Sequence, residues 1–119
     1  MQYLLLIYDN ESNWTKLPEA DRAKMYQEYG EFTQSIVSSG HMQGANQLDV
    51  VSKATTVRIR DGKKLVTDGP FAETKEQLGG YYLIEAKDLD EALAIAARIP
   101  SVRAGSIEVR PIMRQAKAS

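Results

Sequence analysis

The N-terminal strand limits the fold more than any other feature of this sequence. Residues Tyr3 to Tyr8 are apolar at every position, and Asp9 then begins a run of turn-forming residues. A strand that is apolar on both sides should be covered on both faces of its sheet. The chain therefore has to supply, or recruit, two covering layers for this strand.

Two later segments show the periodicity of amphipathic helices. Pro18 opens the first and Gly40 ends it. Asp88 caps the second, which is predicted to run to about Ile99. The residues assigned to the buried sides are Met25, Tyr29, Phe32 and Ile36 in the first helix, and Leu89, Ala92, Leu93, Ala96 and Ala97 in the second.

The remaining apolar segments predict further strands. Thr55 to Arg60 alternates between apolar and polar residues, Asp61-Gly62 is a hairpin signal, and Lys63 to Thr67 is expected to return as the partner strand. The Gly79-Gly80 pair predicts a bulge or a close backbone approach. Additional strands are expected at His41–Val51, with an irregular Gly44, at Tyr81–Ala86 and at Ser106–Ile112.

This order of elements predicts an α+β fold. It fits a ferredoxin-like βαββαβ sandwich with an inserted hairpin and loop, in which helices cover one face of an antiparallel sheet. The other sheet face is expected to mix apolar and charged residues, so a second copy of the chain should cover it and leave a partly polar cavity. The charged residues assigned to that face are Arg58, Arg60, Glu108 and Arg110.

Composition excludes several classes of function. The chain, residues 1–119, is the length of a single domain, with a frayed tail expected at 114–119. Its net charge of −1 gives no electrostatic footprint for nucleic acid or anionic lipid. No stretch reaches the ~20 apolar residues of a membrane span. The sequence has no cysteine and one histidine, which fits a cytoplasmic protein and excludes thiolate metal sites.

The stretch Leu65–Gly80 carries the densest group of ionisable residues. Asp68 either accepts backbone N–H bonds in an Asx turn or stands at the lip of the cavity as a catalytic carboxylate. Glu73, Lys75 and Glu76 form either a solvated loop with weak ion pairs or a buried polar network that binds a small ligand. The adjacent lysine argues against a metal site. Phe71 is predicted to plug the core or the cavity wall.

Other candidate residues lie outside this stretch. His41 is either a capping residue at a helix C-terminus or a general base near neutral pH. Arg58 and Arg110 either pair with carboxylates across strands or hold an anionic ligand in the cavity. Aromatic walls are expected from Tyr8, Tyr81 and Tyr82, and no His–acid pair is expected near Ser12, Ser38 or Ser39 that would make a serine nucleophilic.

Several segments together resemble the DGPF branch of the YCII-related proteins. These segments are Tyr3–Tyr8, Ala54–Arg58, Val66–Glu76, Gly79–Leu83 and Ile107–Ile112, so the resemblance covers nearly the whole chain. It implies a single YCII-related (DGPF) domain in a dimeric α/β-barrel form of the ferredoxin-like fold. Most of that family has no assigned reaction. Some relatives are encoded or fused with sigma factors, and a distant relative dechlorinates a hydroquinone with a His–Asp pair.

Two functions are expected from these observations. The first is a cofactor-free lyase or isomerase in a dimer cleft under the Asp68–Lys75 loop, with Asp68 or His41 moving a proton and Arg58 or Arg110 holding a small anionic molecule. The second is a non-catalytic ligand-binding or regulatory module associated with a sigma factor. No cofactor motif is present, and no feature of the sequence decides between these two.

Overall fold

A computed structural model describes residues 1–114 as an α+β fold with a four-stranded antiparallel sheet and a separate two-stranded hairpin. Apart from Arg114, the predicted frayed tail lies outside the described residues. The helices are α1 (Ser12–Thr15), α2 (Glu19–Ser38) and α3 (Leu89–Ala96), and short 3-10 turns span Val51–Lys53 and Pro100–Arg103. The strands are β1 (Gln2–Asp9), β2 (Met42–Gln47), β3 (Thr55–Arg60), β4 (Lys63–Asp68), β5 (Gln77–Glu85) and β6 (Ser106–Pro111).

The N-terminal strand lies inside the four-stranded sheet, whose order is β2-β5-β1-β6. Leu5 stands opposite Tyr82 on one side and Val109 on the other. Tyr3, Leu5 and Ile7 of β1 are buried under the helices, while the even-numbered residues lie on the other face and are at least partly exposed. This other face, called the open face below, carries Leu4, Leu6, Tyr8, Tyr81 and Leu83.

The hydrophobic core fills the space between the sheet and helices α2 and α3. Its fully buried large side chains are Leu5, Ile36, Ile84 and Ile99. Burial of each is worth about 1.5–3 kcal/mol relative to exposure. Phe32 packs edge-on against Tyr82 with the ring centroids 5.1 Å apart. The core therefore joins α2 to the middle of the sheet.

Helix α3 buries a different set of residues from the predicted one. The carboxylate of Asp88 accepts the N–H of Glu91 at 2.9 Å, so the predicted cap is confirmed. The assignment of Leu89, Leu93 and Ala97 to the buried side is wrong, because all three are exposed. The predicted buried side was centred on the two leucines. In the structure the buried stripe is rotated around the helix axis, and its residues are Ala92, Ile95, Ala96 and Ile99.

The hairpin of β3 and β4 forms its own sheet, and it is called the hairpin arm below. Asp61 and Gly62 have φ values of 52° and 75°, as a tight hairpin turn requires, so the predicted turn is confirmed. The grouping of Arg58 and Arg60 with Glu108 on one sheet face is wrong. Alternation and turn residues specify a hairpin locally, but they do not specify the sheet on which the hairpin lies.

The Gly79-Gly80 pair lies within β5, which begins at Gln77 and not at Tyr81 as predicted. Ile7 pairs with Gly80 and the next residue of β1 pairs with Leu78, so Gly79 is the extra residue of a bulge. A Cβ on Gly80 would lie 2.9 Å from the carbonyl oxygen of Asn46. Both predicted roles of the glycine pair are confirmed. Within residues 1–114, no helix is both long enough and apolar enough to cross a membrane.

Candidate functional site

A cavity of about 310 Å³ opens on the helix side of the sheet. Its floor is made by side chains and backbone of β1, β2 and β5, and its walls come from α1, α2 and the segment that follows β2. The bulge at Gly79 and the close approach at Gly80 shape this end of the sheet. The apolar and aromatic lining residues are Ile7, Trp14, Tyr26, Tyr29, Ala45, Leu48, Val50, Tyr81 and Tyr82.

Aromatic side chains dominate the walls of this cavity, which is called the aromatic cavity below. Trp14 of α1 and Tyr26 of α2 meet edge to face with centroids 4.7 Å apart. The Arg22 guanidinium carbon lies 5.8 Å from the Trp14 ring centroid, and Arg22 Nη2 donates to the Leu17 carbonyl at 3.1 Å. These contacts fix the single turn of α1 over the cavity.

Two tyrosines of the cavity, Tyr29 and Tyr82, are neutral near pH 7. Burial raises the pKa of both Tyr29 and Tyr82 above the ordinary value for a phenol. Tyr82 Oη shares a hydrogen bond of 2.8 Å with Thr33 Oγ1, and Asn46 Nδ2 donates to Tyr81 Oη at 2.9 Å. The phenols of Tyr29 and Tyr82 can bind and orient a ligand, but they are not phenolate bases at neutral pH.

The charged residues that line the aromatic cavity are carboxylates. Asp9 Oδ1 accepts the N–H of Asn10 and the side-chain amide of Asn13, each at 2.8 Å. Glu11 Oε2 accepts the N–H of Val51 at 2.8 Å. Among the residues that the structure describes, no lysine or arginine lines the cavity. The site is therefore largely apolar and aromatic, and its two charged residues, Asp9 and Glu11, are both acidic.

One of the eight predicted site residues, Tyr82, lines this cavity. Asp68, Glu73 and Lys75 are exposed on the hairpin arm and on the loop that follows it. Phe71 is 75% exposed, and the Arg58 guanidinium carbon lies 5.0 Å from its ring centroid. The prediction that Phe71 plugs the core is therefore wrong, because its ring packs against a surface guanidinium. The assignment of Asp68, Glu73 and Lys75 to a site stays a prediction.

The loop after β4 is held by its backbone and not by the Asp68 carboxylate. Gly69 N–H donates to the Ala54 carbonyl at 2.7 Å, and Thr56 Oγ1 donates to the Gly69 carbonyl at 2.8 Å. Across residues 1–114, no donor reaches the carboxylate of Asp68, so the predicted Asx turn is wrong. Gly69 has a φ of 100°, which favours glycine there.

Arg110 and His41 lie apart from each other and from the cavity. Arg110 forms an ion pair with Glu108 of its own strand, on the open face. His41 precedes β2, at the opposite edge of the sheet from β6, and its ring contacts Ser39 and Glu91. The structure thus brings neither the arginines nor the histidine to Asp68.

Ser39, His41 and Glu91 form a hydrogen-bonded chain, contrary to the expectation that no His–acid pair lies near these serines. Ser39 Oγ is 2.6 Å from His41 Nδ1, and His41 Nε2 is 3.1 Å from Glu91 Oε1. Ser39 Oγ also donates to the Ile36 carbonyl at 3.2 Å, so this hydroxyl joins the end of α2 to the His41 ring. The chain joins the end of α2 to the start of α3, and none of its three residues lines the cavity described above.

We expect Glu91→Gln to lower the free energy of unfolding at pH 7. The N–H of Lys87 and then the His41 ring hold the pKa of Glu91 below its usual 4.5. A carboxyl whose pKa is lowered in the folded state stabilises the fold above the unfolded pKa, and this contribution is lost as the pH falls through the folded pKa.

Urea unfolding from pH 7 downwards measures this effect. The difference between wild type and Glu91→Gln should close below pH 4.5. Glu73→Gln, at an exposed position on the loop, is the control and should follow the wild type throughout. A difference that persists unchanged below pH 3 would contradict an electrostatic origin, with pH 3 taken as roughly one unit below the usual range of glutamate.

The sequence reasoning missed Trp14, Tyr26, Asp9 and Glu11 as site residues. Trp14 is the one tryptophan of the sequence, and a single tryptophan in a polar segment was an available signal. The segment from Asp9 to Ser12 was assigned to a turn, and α1 follows it. Residues 1–114 contain no group of three His, Cys, Asp or Glu side chains that could hold a metal ion.

Comparison with known proteins agrees with the resemblance seen in the sequence motifs. The model of the YCII-related domain matches residues 1–116. An uncharacterized protein of Rhizobium meliloti (strain 1021), R00369, is 36% identical over 114 residues, which are 94% of this chain and 92% of that protein. The match spans the four-stranded sheet, the hairpin arm and the aromatic cavity. The chain therefore belongs to the YCII-related domain family, whose function is uncharacterized.

Proposed function

We propose that this protein binds a small organic molecule in the aromatic cavity. The observation that carries the proposal is a preformed space of about 310 Å³, lined by the aromatic residues Trp14, Tyr26, Tyr29 and Tyr82 and by several polar groups. Ligand sites in proteins are typically apolar clefts of about 300–1,000 Å³ with few placed polar groups. The bulged end of the sheet and the pinned α1 turn hold this cavity open in a single chain.

The geometry supports binding more directly than it supports catalysis. A lyase or isomerase that uses Asp68 or His41 as acid or base remains a hypothesis, although neither residue lines the cavity. Arg58 and Arg110 do not line the cavity either, so an anionic ligand held by one of them would have to bind at a second surface. The alternative of a regulatory module associated with a sigma factor is compatible with a ligand-binding cavity, because binding requires no turnover.

A thermal-shift screen with small aromatic and aliphatic compounds tests the proposal. A ligand at about 100 times its dissociation constant stabilises the folded state by about 2.7 kcal/mol. We expect Ala45→Phe, which adds a ring to the cavity floor, to abolish the shift that a hit produces. The same substitution at the exposed Ala94 of α3 is the control. A hit whose affinity is unchanged in a folded Ala45→Phe variant would place the ligand elsewhere.

We further propose that the protein is a homodimer of ferredoxin-like subunits. Strands β1, β2, β5 and β6 with helices α2 and α3 follow the βαββαβ order, and the sheet order β2-β5-β1-β6 suits that fold. The open face carries a row of apolar side chains that residues 1–114 cover only in part. A second copy is the partner that symmetry most often supplies for such a face.

The hairpin arm supports the same proposal. Val57, Ile59 and Val66 share one of its faces and are 56–61% exposed. An isolated two-stranded hairpin is marginally stable in water and needs cover. The radius of gyration is 16.7 Å, against roughly 13.5 Å for a compact chain of this length, so the arm projects from the body of the subunit.

Val57→Asp is expected to convert the dimer to a monomer in gel filtration. The substitution places a charge at the centre of the apolar face of the arm, where desolvation would oppose association. Leu93→Asp, on the exposed side of α3, is the matched control and should elute with the wild type. A wild type that elutes as a monomer would contradict the dimer, and a dimeric Val57→Asp would exclude the arm from the interface.

A further inference from the structure

We propose that the aromatic cavity selects a small organic cation, such as a protonated amine attached to an aromatic or alkyl body. This inference rests on the proposed function and adds the charge class of the ligand. It differs from the anionic ligand that the arginines of the sequence had indicated. Three properties of the lining carry it: its charged groups, its aromatic rings and its size.

The charged groups of the lining are of one sign. Asp9 and Glu11 line the cavity, and within the part of the chain that the structure describes no basic side chain does. Each carboxylate uses one oxygen for the protein, since Asp9 Oδ1 and Glu11 Oε2 accept the hydrogen bonds from the protein. The second oxygen of each has no donor among residues 1–114. A ligand that brings N–H donors and a positive charge would satisfy those oxygens, and an anion would be repelled.

The aromatic rings of the lining favour the same charge. The faces of tryptophan and tyrosine rings attract cations, most strongly where water is excluded. Trp14 already shows this behaviour, because Arg22 lies 5.8 Å from its ring centroid although Arg22 itself does not line the cavity. Tyr29 and Tyr82 stay neutral because burial raises the pKa of each, so they add ring faces without adding negative charge of their own.

The size of the cavity limits the ligand to a small molecule. A volume of about 310 Å³ is at the lower end of ligand sites. It has room for one aromatic ring with a short side chain. Its lining combines the carboxylates Asp9 and Glu11 with neutral polar residues and with apolar and aromatic ones. The ligand that fits is therefore amphipathic, with its ammonium group towards Asp9 and its body against the rings.

Titration of tryptophan fluorescence tests the inference with three compounds of nearly equal shape. Trp14 is the only tryptophan of the sequence and lines the cavity, so its emission reports occupancy directly. The compounds are 2-phenylethylammonium, 2-phenylethanol and phenylacetate. We expect the cation to bind at least tenfold more tightly than the anion, with the alcohol between them. Asp9→Asn should reduce the ratio of cation to anion affinity several-fold, and Asp90→Asn, on exposed α3, should leave it unchanged.

The outcomes of the titration distinguish a failure of the cation inference from a failure of the binding function. If the alcohol or the anion binds as tightly as the cation or more tightly, the cation inference is overturned and the binding function stands. If none of the three compounds gives a saturable change, both are overturned for ligands of this size. If Asp9→Asn does not fold, Glu11→Gln replaces it, since the same reduction in the affinity ratio is expected there.

Discussion

We expect Gly105→Ala to destabilise the protein more than any other replacement of a glycine by alanine. Gly105 stands between the second 3-10 turn and β6, and a Cβ at this position would lie 2.1 Å from the carbonyl oxygen of Tyr8 and 3.0 Å from the Cβ of Asp9. Backbone atoms of a central strand cannot move aside without breaking the pairing of β1 with β6. Overpacking of this kind costs about 3 kcal/mol or more.

Thermal denaturation measures the effect of Gly105→Ala. A loss of this size corresponds to a melting temperature lower by about 10 °C or more in a domain of this length. The matched control is Gly30→Ala in α2, where a Cβ meets no atom within 4 Å. There, alanine should stabilise the helix by about 0.5–1 kcal/mol. A Gly105→Ala variant as stable as the wild type would show that the turn and β1 do not approach this closely.

The same contact links stability to the proposed site. Asp9, which faces Gly105, is one of the two carboxylates that line the aromatic cavity. A displacement of β1 at Asp9 would therefore also move the carboxylate that we expect to receive the ligand. Even a folded Gly105→Ala variant should bind the phenylethylammonium probe more weakly than the wild type.

Much of the fold could be predicted because its signals are local. The hairpin turn needs two residues that tolerate positive φ, and Asp61-Gly62 supplies them side by side. The cap of α3 needs a carboxylate three residues before an N–H, and Asp88 supplies it. The adjacent glycines of β5 were likewise a local signal, and they predicted the bulge that the strand contains. The sheet to which the arm belongs could not be predicted, because it depends on contacts between distant segments.

The aromatic cavity could not be predicted from the sequence for the same physical reason. Trp14, Tyr26 and Tyr82 come from α1, α2 and β5, and no spacing along the chain brings them together. The charged residues between Asp68 and Glu76 were predicted to form a site because they are close together in the sequence. Charge density along the chain does not reveal whether a loop turns towards a cavity or towards solvent, and here Glu73 and Lys75 are exposed.

Leu5→Ala is expected to lower the free energy of unfolding by about 2–5 kcal/mol, the range for removing a buried leucine side chain from a core. Leu5 is fully buried in β1 between the sheet and the helices. Its neighbour Leu4 provides a control of identical chemistry, because it lies on the open face opposite Leu83. Leu4→Ala should cost a dilute, monomeric chain clearly less, since its side chain is only partly covered there.

Protein concentration separates the two faces of β1. If a second copy covers the open face, the cost of Leu4→Ala should rise between two urea unfolding series run at roughly hundredfold different protein concentrations, because association stabilises only the folded state. The cost of Leu5→Ala should be the same in both series, since its contacts lie within one chain. If Leu4→Ala and Leu5→Ala lower the free energy of unfolding equally at the lower protein concentration, the alternation of buried and partly exposed residues along β1 would be contradicted. If the loss of unfolding free energy in Leu4→Ala is the same at both protein concentrations, no second copy covers the open face. The open face would then no longer support the dimer.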